Sequence, residues 1–342
     1  MARRVLVVGG TGPSGVPIVN AFLACGDSVT VFHSGAHEAA FDRDVDHIHA
    51  DARDPGEIAR VLAGTSWDVA VCTSGRLRSL ADELAGKTGR LVGITGQPVY
   101  LGTMQPTPSA SLPIPIPEDA PRQYDASNYT GRVAAGEDQL MQQHAAGAFE
   151  AVIVRYPGVY GPRGPLAHEW AVVKRILDGR RLMVLPHDGV THFQRGFVEN
   201  LGRLVFLAAT EPAAAGEAFN AGDERVMSAR GVAQAIAGEL GAELELVEVP
   251  AQAARGLFPL AEKSNLVLDM SKAKMLLGYR DVLDVEAATR ATARWLFENP
   301  GFGSSVAPAF GGSFDYALED RLIEARQVAD QAYSAAAGNA AT

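Results

Sequence analysis

A glycine-rich turn near the N-terminus constrains the fold of this chain more than any other feature. The apolar run at residues 4–8 predicts a β-strand, and it is followed at once by Gly9-Gly10-Thr11-Gly12-Pro13-Ser14-Gly15. Gly9 permits a tight turn, Gly12 lets backbone N–H groups approach a diphosphate, and Gly15 allows a helix to pack closely on the sheet. The positive end of that helix favours an anion. At a first strand-to-helix junction, this spacing favours a dinucleotide site over a purely structural turn.

The composition indicates an acidic globular protein with a substantial core. Of 342 residues, 47% are hydrophobic and 20% are charged, and 30 Lys+Arg against 40 Asp+Glu give a net charge of −10. This charge repels polyanions, so nucleic acid is not an expected partner. The two cysteines, Cys25 and Cys72, predict no disulfide framework and fit a cytoplasmic location. Glycine and proline interrupt the uncharged stretch after residue 4, so no export signal or membrane span is expected.

The pattern of apolar residues predicts an α/β fold, a Rossmann-type doubly wound parallel sheet with a smaller mixed α/β C-terminal substrate lobe. The predicted strands are 4–8, 28–32, 47–49, 68–71, 90–94 and 151–155. The predicted helices are 13–25, 55–63, 127–143 (capped by Ser127 or Asn128), 168–178, 199–209, 229–240 and 285–297. The Pro-rich segment 103–121 predicts a long loop. We assign 1–165 and 196–225 to the dinucleotide-binding domain, 166–195 and 226–300 to the substrate lobe, and 301–342 to an extension with a helix from Asp315 and a frayed tail.

The end of the second strand bears on the choice of cofactor. An NAD site usually has a carboxylate there to accept from the ribose 2′-hydroxyl, whereas this chain has Val31-Phe32-His33-Ser34-Gly35. His33 and Ser34 could donate to a 2′-phosphate, and Arg53 could reach the same region. NADP is therefore the expected cofactor and NAD the alternative, unless His33 merely ends a strand and Arg53 is simply solvated.

Several separate motifs give the chain a family resemblance. Besides the glycine turn they are Asp51-Ala52, Arg155-Tyr156-Pro157-Gly158-Val159-Tyr160-Gly161-Pro162, Arg195-Gly196-Phe197-Val198, Ala218-Phe219-Asn220-Ala221-Gly222, and Asp269-Met270-Ser271-Lys272-Ala273-Lys274 followed by Leu277-Gly278-Tyr279. Over about residues 3–298 the chain resembles the extended short-chain dehydrogenase/reductase family, the NAD(P)-dependent epimerase/dehydratase group. Val29-Thr30-Val31-Phe32-His33 and His47-Ile48-His49-Ala50-Asp51 also resemble an atypical branch related to chloroplast stem-loop RNA-binding proteins. Together, the glycine turn and the resemblance imply cofactor contacts from Gly9, Thr11, Gly12, Pro13, Ser14, Gly15, His33, Ser34, Asp51, Ala52, Arg53, Thr73, Ser74, Gly75, Tyr156, Pro157, Gly158 and Val159.

The predicted catalytic helix departs from the family pattern. The family carries Tyr-x-x-x-Lys, and aligning on Tyr129 places Val133 at the lysine position. That lysine holds the nicotinamide ribose and lowers the pKa of the tyrosine. A phenol with an ordinary pKa near 10 is only about one part in a thousand ionised at pH 7, a deficit of about 4 kcal/mol. Arg132 lies about 100° around the helix from position 133, so it is expected to substitute poorly for the family's lysine. The Ser/Thr position falls on Gly96, with Thr95 beside it, so Tyr129 and Thr95 are the candidate catalytic residues.

We therefore expect an NAD(P)-dependent oxidoreductase, epimerase or dehydratase acting on a small carbonyl, sugar-like or secondary-metabolite substrate. Tyr129 would donate a proton in its neutral form. Two alternatives stay open: a non-catalytic NADP(H)-binding sensor or RNA-associated relative, and a cofactor-assisted non-redox isomerase or lyase. The resemblance also implies a homodimer. No metal site is expected, because His-Glu-x-x-His, paired Cys-x-x-Cys and calcium-loop motifs are absent from the sequence.

Overall fold

The computed structural model describes residues 2–73, 75–103, 113–125, 127–165, 168–254, 257, 265–306 and 314–340. The chain divides into two compact units. The first comprises Met1–Val159, Gln194–Glu224 and Leu266–Asp284, and the second comprises Tyr160–Phe193, Arg225–Asn265 and Val285–Thr342. The predicted loop residues 104–112 lie outside the described residues.

This division differs from the predicted domains in two places. Residues 266–284 belong to the first unit rather than to the substrate lobe, because Leu277 and Tyr279 are buried in its core. Of the predicted extension, the described residues 301–306 and 314–340 belong to the second unit.

The first unit is built on a parallel sheet. Its strands are β1 Arg4–Val8, β2 Ser28–His33, β3 Asp46–His49, β4 Trp67–Cys72, β5 Thr88–Gly96, β6 Glu150–Tyr156, β7 Gly158–Tyr160, β9 Arg195–Phe197 and β10 Glu217–Asn220. Its helices are α1 Gly15–Ala24, α2 Pro55–Leu62, α3 Leu77–Leu84, α4 Tyr129–Ala145, α6 Val198–Thr210 and α8 Ser271–Leu277. Seven strands pair in the order β10-β6-β5-β4-β1-β2-β3, every pair parallel, while β7 and β9 form a separate two-stranded sheet. This order confirms the predicted doubly wound fold.

Successive side chains of a strand point to opposite faces of the sheet, which divides the core of the first unit into two layers. Val5 and Val7 face one cluster, which α1, α6 and α8 complete. Leu6 and Val8 face the other, which α2, α3 and α4 complete. Each such fully buried side chain contributes about 1.5–3 kcal/mol relative to an exposed one. The layers fix the strand register, and with it the loops at the carboxyl edge of the sheet.

The second unit combines helices with a small sheet. Its elements are α5 His168–Leu177, β8 Leu182–Pro186, α7 Ala229–Glu239, β11 Glu245–Val249, α9 Val285–Glu298, α10 Pro300–Val306 and α11 Tyr316–Ala340. β8 and β11 pair in parallel. Helix α11 is anchored by Ile323 in an apolar cluster and by a fully buried ion pair of Glu319 with Arg175, with Nε and Oε1 3.0 Å apart.

Each predicted helix and strand is present, with its ends within two residues of the predicted ones. Helices α3 and α10 and the strands β7 to β11 were not predicted. The alanine-rich segment is helical up to Ala340, where α11 ends. None of the helices in the described ranges is both long and apolar enough to cross a bilayer.

Candidate cofactor and active site

The glycine turn has the geometry of a diphosphate-binding loop. Gly9 has a φ of +81°, and its N–H donates to the Phe32 carbonyl at 2.8 Å. A Cβ on Gly15 would lie 2.5 Å from the Gly10 carbonyl oxygen, so helix α1 can approach the turn only with glycine there. A Cβ on Gly12 would meet only the Gly9 carbonyl, at 3.3 Å. Gly9 and Gly15 are thus fixed by the fold, whereas Gly12 borders open space.

The backbone amides of the turn supply donors for an anion. The Gly12 and Gly15 amides bond inside the turn, to the Gly9 and Gly12 carbonyls at 3.0 Å each. Within the described chain, the amides of Thr11 and Ser14 donate to no protein acceptor, and Pro13 has no N–H to offer. Two free amides at the positive end of α1 fit a diphosphate.

Three loops meet at the carboxyl edge of the sheet, beside the reversal of strand order between β1 and β4. The Thr73 hydroxyl donates to the carbonyls of Val8 at 2.9 Å and Gly9 at 3.1 Å, which joins the loop after β4 to the glycine turn. The Arg76 amide donates to the Ala52 carbonyl at 2.9 Å, which joins it to the loop after β3. Gly75, with φ +90°, passes so close that a Cβ would lie 2.7 Å from that carbonyl. Ser74 lies outside the described residues. Such a crevice is where open α/β sheets bind their ligands.

The side chain of His33 at the end of β2 is not oriented as the sequence predicted, which was toward a 2′-phosphate. His33 is buried, and its Nε2 lies 2.8 Å from Nδ1 of His47, so its ring faces β3. Burial lowers the pKa of His33, and the nearby Glu38 carboxylate opposes that shift. Although the strand itself lacks a carboxylate, the following loop places Oε2 of Glu38 3.9 Å from His33 Nε2. Ser34 and Arg53 are exposed. We call His33, Glu38, His47 and His49 the histidine cluster.

The loop after β6 forms another part of the candidate cofactor site. Tyr156 ends β6 and is buried, which raises the pKa of its phenol. The hydroxyl lies near the Ser14 side chain, yet makes no well-formed hydrogen bond in the described part of the chain. Pro157 follows, and Gly158 and Val159 begin β7. A buried hydroxyl next to the amide cradle is an additional donor for a polar ligand, as the implied cofactor would be.

Helix α4 brings the two candidate catalytic residues to one cleft. Asn128 caps the helix by accepting from the Gly131 amide at 2.9 Å, so Tyr129 occupies its first position and is 64% exposed. A cleft of about 590 Å³ is lined by Thr95, Tyr129 and Val133. Arg132 also lines it, although the sequence analysis expected its direction to differ from that of position 133. Its guanidinium additionally donates to the Ser127 carbonyl at 3.1 Å.

The same cleft is rich in cations that the sequence analysis did not select. Arg76 and Arg78, from the start of α3, line it together with Arg132. Within the described residues, neither Arg76 nor Arg78 makes an ion pair. Three guanidinium groups around one cleft favour an anionic ligand. The signal in the sequence was the Arg76-x-Arg78 spacing, a few residues after the end of β4.

Thr95 belongs to a buried charged network. Its hydroxyl donates to Oε1 of Glu137 at 2.7 Å, and Arg155 binds the same carboxylate through Nε at 3.0 Å and Nη2 at 2.7 Å. Burial disfavours the charge on Arg155, but the hydrogen bonds and charge of Glu137 outweigh it and raise the pKa of Arg155. Arg122 adds a further contact to Glu137 at 3.1 Å. Because its proton is directed to Glu137, the Thr95 hydroxyl can accept from a ligand in the cleft but not donate to it.

A parallel sheet of this order, with a glycine turn beside its switch point, defines a Rossmann-type dinucleotide-binding protein. The model of the NAD dependent epimerase/dehydratase family matches residues 5–222. The chain belongs to this family, which confirms the family resemblance deduced from its motifs. No curated protein matches it.

Solved structures show the same fold at low sequence identity. UDP-glucose 4-epimerase of Thermotoga maritima, with UDP-glucose, has a TM-score of 0.69 at 17% identity, covering 87% of this chain and 99% of that one. The enzyme WbmG of Bordetella bronchiseptica, with NAD and UDP, has a TM-score of 0.67 at 18% identity, covering 87% and 96%. The dTDP-glucose 4,6-dehydratase of Streptomyces venezuelae, with NAD bound, has a TM-score of 0.66 at 22% identity, covering 89% and 99%.

Proposed function

We propose that this protein is an NAD(P)-dependent reductase, epimerase or dehydratase acting on a small carbonyl or sugar-like substrate that carries an anionic group. The observation that carries the proposal is the cleft that Thr95, Tyr129 and Arg132 share. Bound NAD(P) would supply hydride transfer at the nicotinamide. UDP-glucose and UDP, bound in two of the structural relatives, are anionic ligands of the kind that the three arginines suit.

Each side chain in the cleft has a distinct part in this proposal. Tyr129 donates a proton to the substrate oxygen in the reducing direction, where a neutral phenol suffices. Thr95 accepts a hydrogen bond from a substrate hydroxyl, because its own proton is held by Glu137. Arg132 supplies the cationic charge that the family takes from lysine, while Arg76 and Arg78 hold the anionic group.

The cofactor would be held at the carboxyl edge of the sheet. The free amides of Thr11 and Ser14 would bind the diphosphate, and Asp51 and Ala52 would lie beside the adenine, as in the family. We propose NADP as the preferred form, because the exposed Ser34 and Arg53 can donate to a 2′-phosphate. NAD, which is bound in two relatives, is the alternative.

Cofactor binding is tested by fluorescence titration with NADPH and, separately, NADH. We expect Gly12→Ala to weaken both by at least about tenfold, because its methyl group enters the space a diphosphate would occupy. Gly301→Ala is the matched control, since a Cβ there meets nothing within 4 Å. Arg53→Ala should weaken the binding of NADPH but not of NADH. If the wild-type protein binds neither nucleotide, the cofactor assignment is wrong.

Catalysis is tested by following NADPH oxidation with a panel of carbonyl compounds and nucleotide sugars. For a substrate found in this way, Tyr129→Phe should lower kcat by about 10²–10⁴-fold with NADPH affinity unchanged. The control is Tyr333→Phe, at another highly exposed tyrosine, on α11. Turnover that survives the loss of the Tyr129 hydroxyl would exclude the proton-donor role.

One observation favours a second candidate, a non-catalytic NADP(H)-binding sensor. Val133 lines the cleft at the family's lysine position, and a valine there can neither bind a ribose nor assist proton transfer. The variant Val133→Lys separates the two functions. A catalyst limited by the missing lysine should become faster, with its rate shifted to lower pH, whereas a sensor should bind NADPH without turnover in both forms.

A further inference from the structure

The histidine cluster lies at the end of the sheet's edge, and none of its members lines the cleft that contains Tyr129. One ligand atom from each of His33, Glu38, His47 and His49 can be chosen so that all four lie within 4.8 Å of one another. Nothing in the proposed cofactor or proton chemistry requires four such groups together.

The two strands build this cluster through their register. His33 is the last residue of β2, and its register partner on β3 is His49. His47 lies two residues before His49, and alternate residues of a strand point to the same face, so all three imidazoles share one side. Their ring centroids lie 4.6 to 5.7 Å apart. The side chains of His47 and His49 on the edge strand β3 are 31% and 56% exposed, so the cluster is accessible from solvent.

The distances in the cluster suit a small tetrahedral ion. His33 Nε2 and His47 Nδ1 are 2.8 Å apart, and the Glu38 oxygens lie 3.5 Å from His49 Nε2, 3.9 Å from His33 Nε2 and 4.0 Å from His47 Nδ1. Ligands about 2.0–2.1 Å from a tetrahedral zinc ion are about 3.3 Å from one another. These four separations lie on both sides of that value, and one ligand atom from each residue can be chosen within 4.8 Å of all the others. Glu38 is 61% exposed on a loop, so its carboxylate can close the remaining gap.

The donor set selects the class of metal. Three imidazole nitrogens and one carboxylate oxygen are typical of zinc and its neighbours among the divalent transition metals. Ca²⁺ and Mg²⁺ instead require mostly oxygen ligands. We propose that the histidine cluster binds one zinc-type divalent ion through His33, His47, His49 and Glu38.

Backbone groups hold the His33 ring in place. The Gly35 N–H donates to Nδ1 of His33 at 3.3 Å, and the backbone of His37 also hydrogen-bonds the ring. Metal binding through Nε2 therefore requires the ring proton to move to Nδ1 and the Gly35 contact to be given up. A hydrogen bond to the second ring nitrogen commonly orients a metal-binding histidine.

The test is isothermal titration of the tag-free, EDTA-treated protein with Zn²⁺, together with the visible spectrum after addition of Co²⁺. We expect one Zn²⁺ per chain with a Kd of about 1 μM or lower, and the absorption bands of tetrahedral Co²⁺. His49→Ala, His47→Ala and Glu38→Gln should each weaken Zn²⁺ binding by at least about tenfold, since even second-shell changes cost that much. These side chains are 56%, 31% and 61% exposed, so the variants are expected to fold.

His37→Ala is the matched control, because this exposed histidine lies next to Glu38 but is not in the cluster. It should bind Zn²⁺ like the wild type. Equal binding in His49→Ala and His37→Ala, or no binding at 100 μM Zn²⁺, would overturn the proposal. A third result would also overturn it. If the protein does not bind Zn²⁺ and His47→Ala weakens the binding of NADPH but not of NADH, the cluster is a 2′-phosphate subsite. Because the primary readout is Zn²⁺ itself, a failure to bind nucleotide leaves this test intact.

Discussion

Replacing Glu137 by alanine should strongly destabilise the first unit. The carboxylate is fully buried and accepts from Thr95, Arg122 and Arg155, the last with a guanidinium side chain only 4% exposed. Removing it leaves the Arg155 charge buried and unpaired, and breaking such a pair costs about 3–5 kcal/mol. Glu137→Ala should therefore lower the free energy of unfolding by about 4 kcal/mol, a large part of a typical domain's stability.

Urea unfolding followed by tryptophan fluorescence and circular dichroism measures this loss. Glu83→Ala is the control, because Glu83 forms a partly exposed i,i+4 pair with Lys87 in the same unit, worth about 0.3–0.5 kcal/mol. Thr95→Val should fall between the two, since it removes one hydrogen bond to a charged group, about 1.5–3 kcal/mol. If Glu137→Ala lowers the free energy of unfolding by less than about 1 kcal/mol, the reasoning that the buried Arg155 charge depends on Glu137 is refuted.

Three further outcomes follow from buried groups. Burial raises the pKa of Asp281 to about 6 from 3.8, so the folded state binds this proton more tightly than the unfolded state does. As the pH falls from 7 to 4, the unfolding free energy of the wild type should therefore rise relative to Asp281→Asn, by about 1–2 kcal/mol after allowance for partial exposure. Burial raises the pKa of Cys72 to about 12, so iodoacetamide should label the exposed Cys25 alone in the native protein, as peptide mass spectrometry can show. Glu319→Ala should leave Arg175 unpaired and cost about 3–5 kcal/mol in the second unit, seen as faster hydrogen exchange in α11.

Local signals in the sequence were sufficient for six of the seven strands of the parallel sheet, all except β10. The glycine turn, the β-branched runs and the helix caps are each set by neighbours within a few residues, and Asn128 caps α4 as one of the two predicted candidates. The second unit was harder, because its strand Leu182–Pro186 pairs with a strand some 60 residues later. Helix α10 was missed because its sequence, Pro300-Gly301-Phe302-Gly303-Ser304-Ser305-Val306, has low helix propensity.

The side-chain contacts that sequence reasoning missed join residues that are distant along the chain. Glu137 meets Thr95 across 42 positions and Arg155 across 18, and His33 meets His47 across 14. No local pattern encodes such contacts; strand register and helix packing produce them. Motif spacing therefore predicted the glycine turn, whose parts are adjacent in sequence, but it could not show that Thr95 shares a carboxylate with two arginines. Nor could it show that β2, which has no carboxylate of its own, ends beside the carboxylate of Glu38. Contacts between side chains on different strands can be predicted only once the strand register is known.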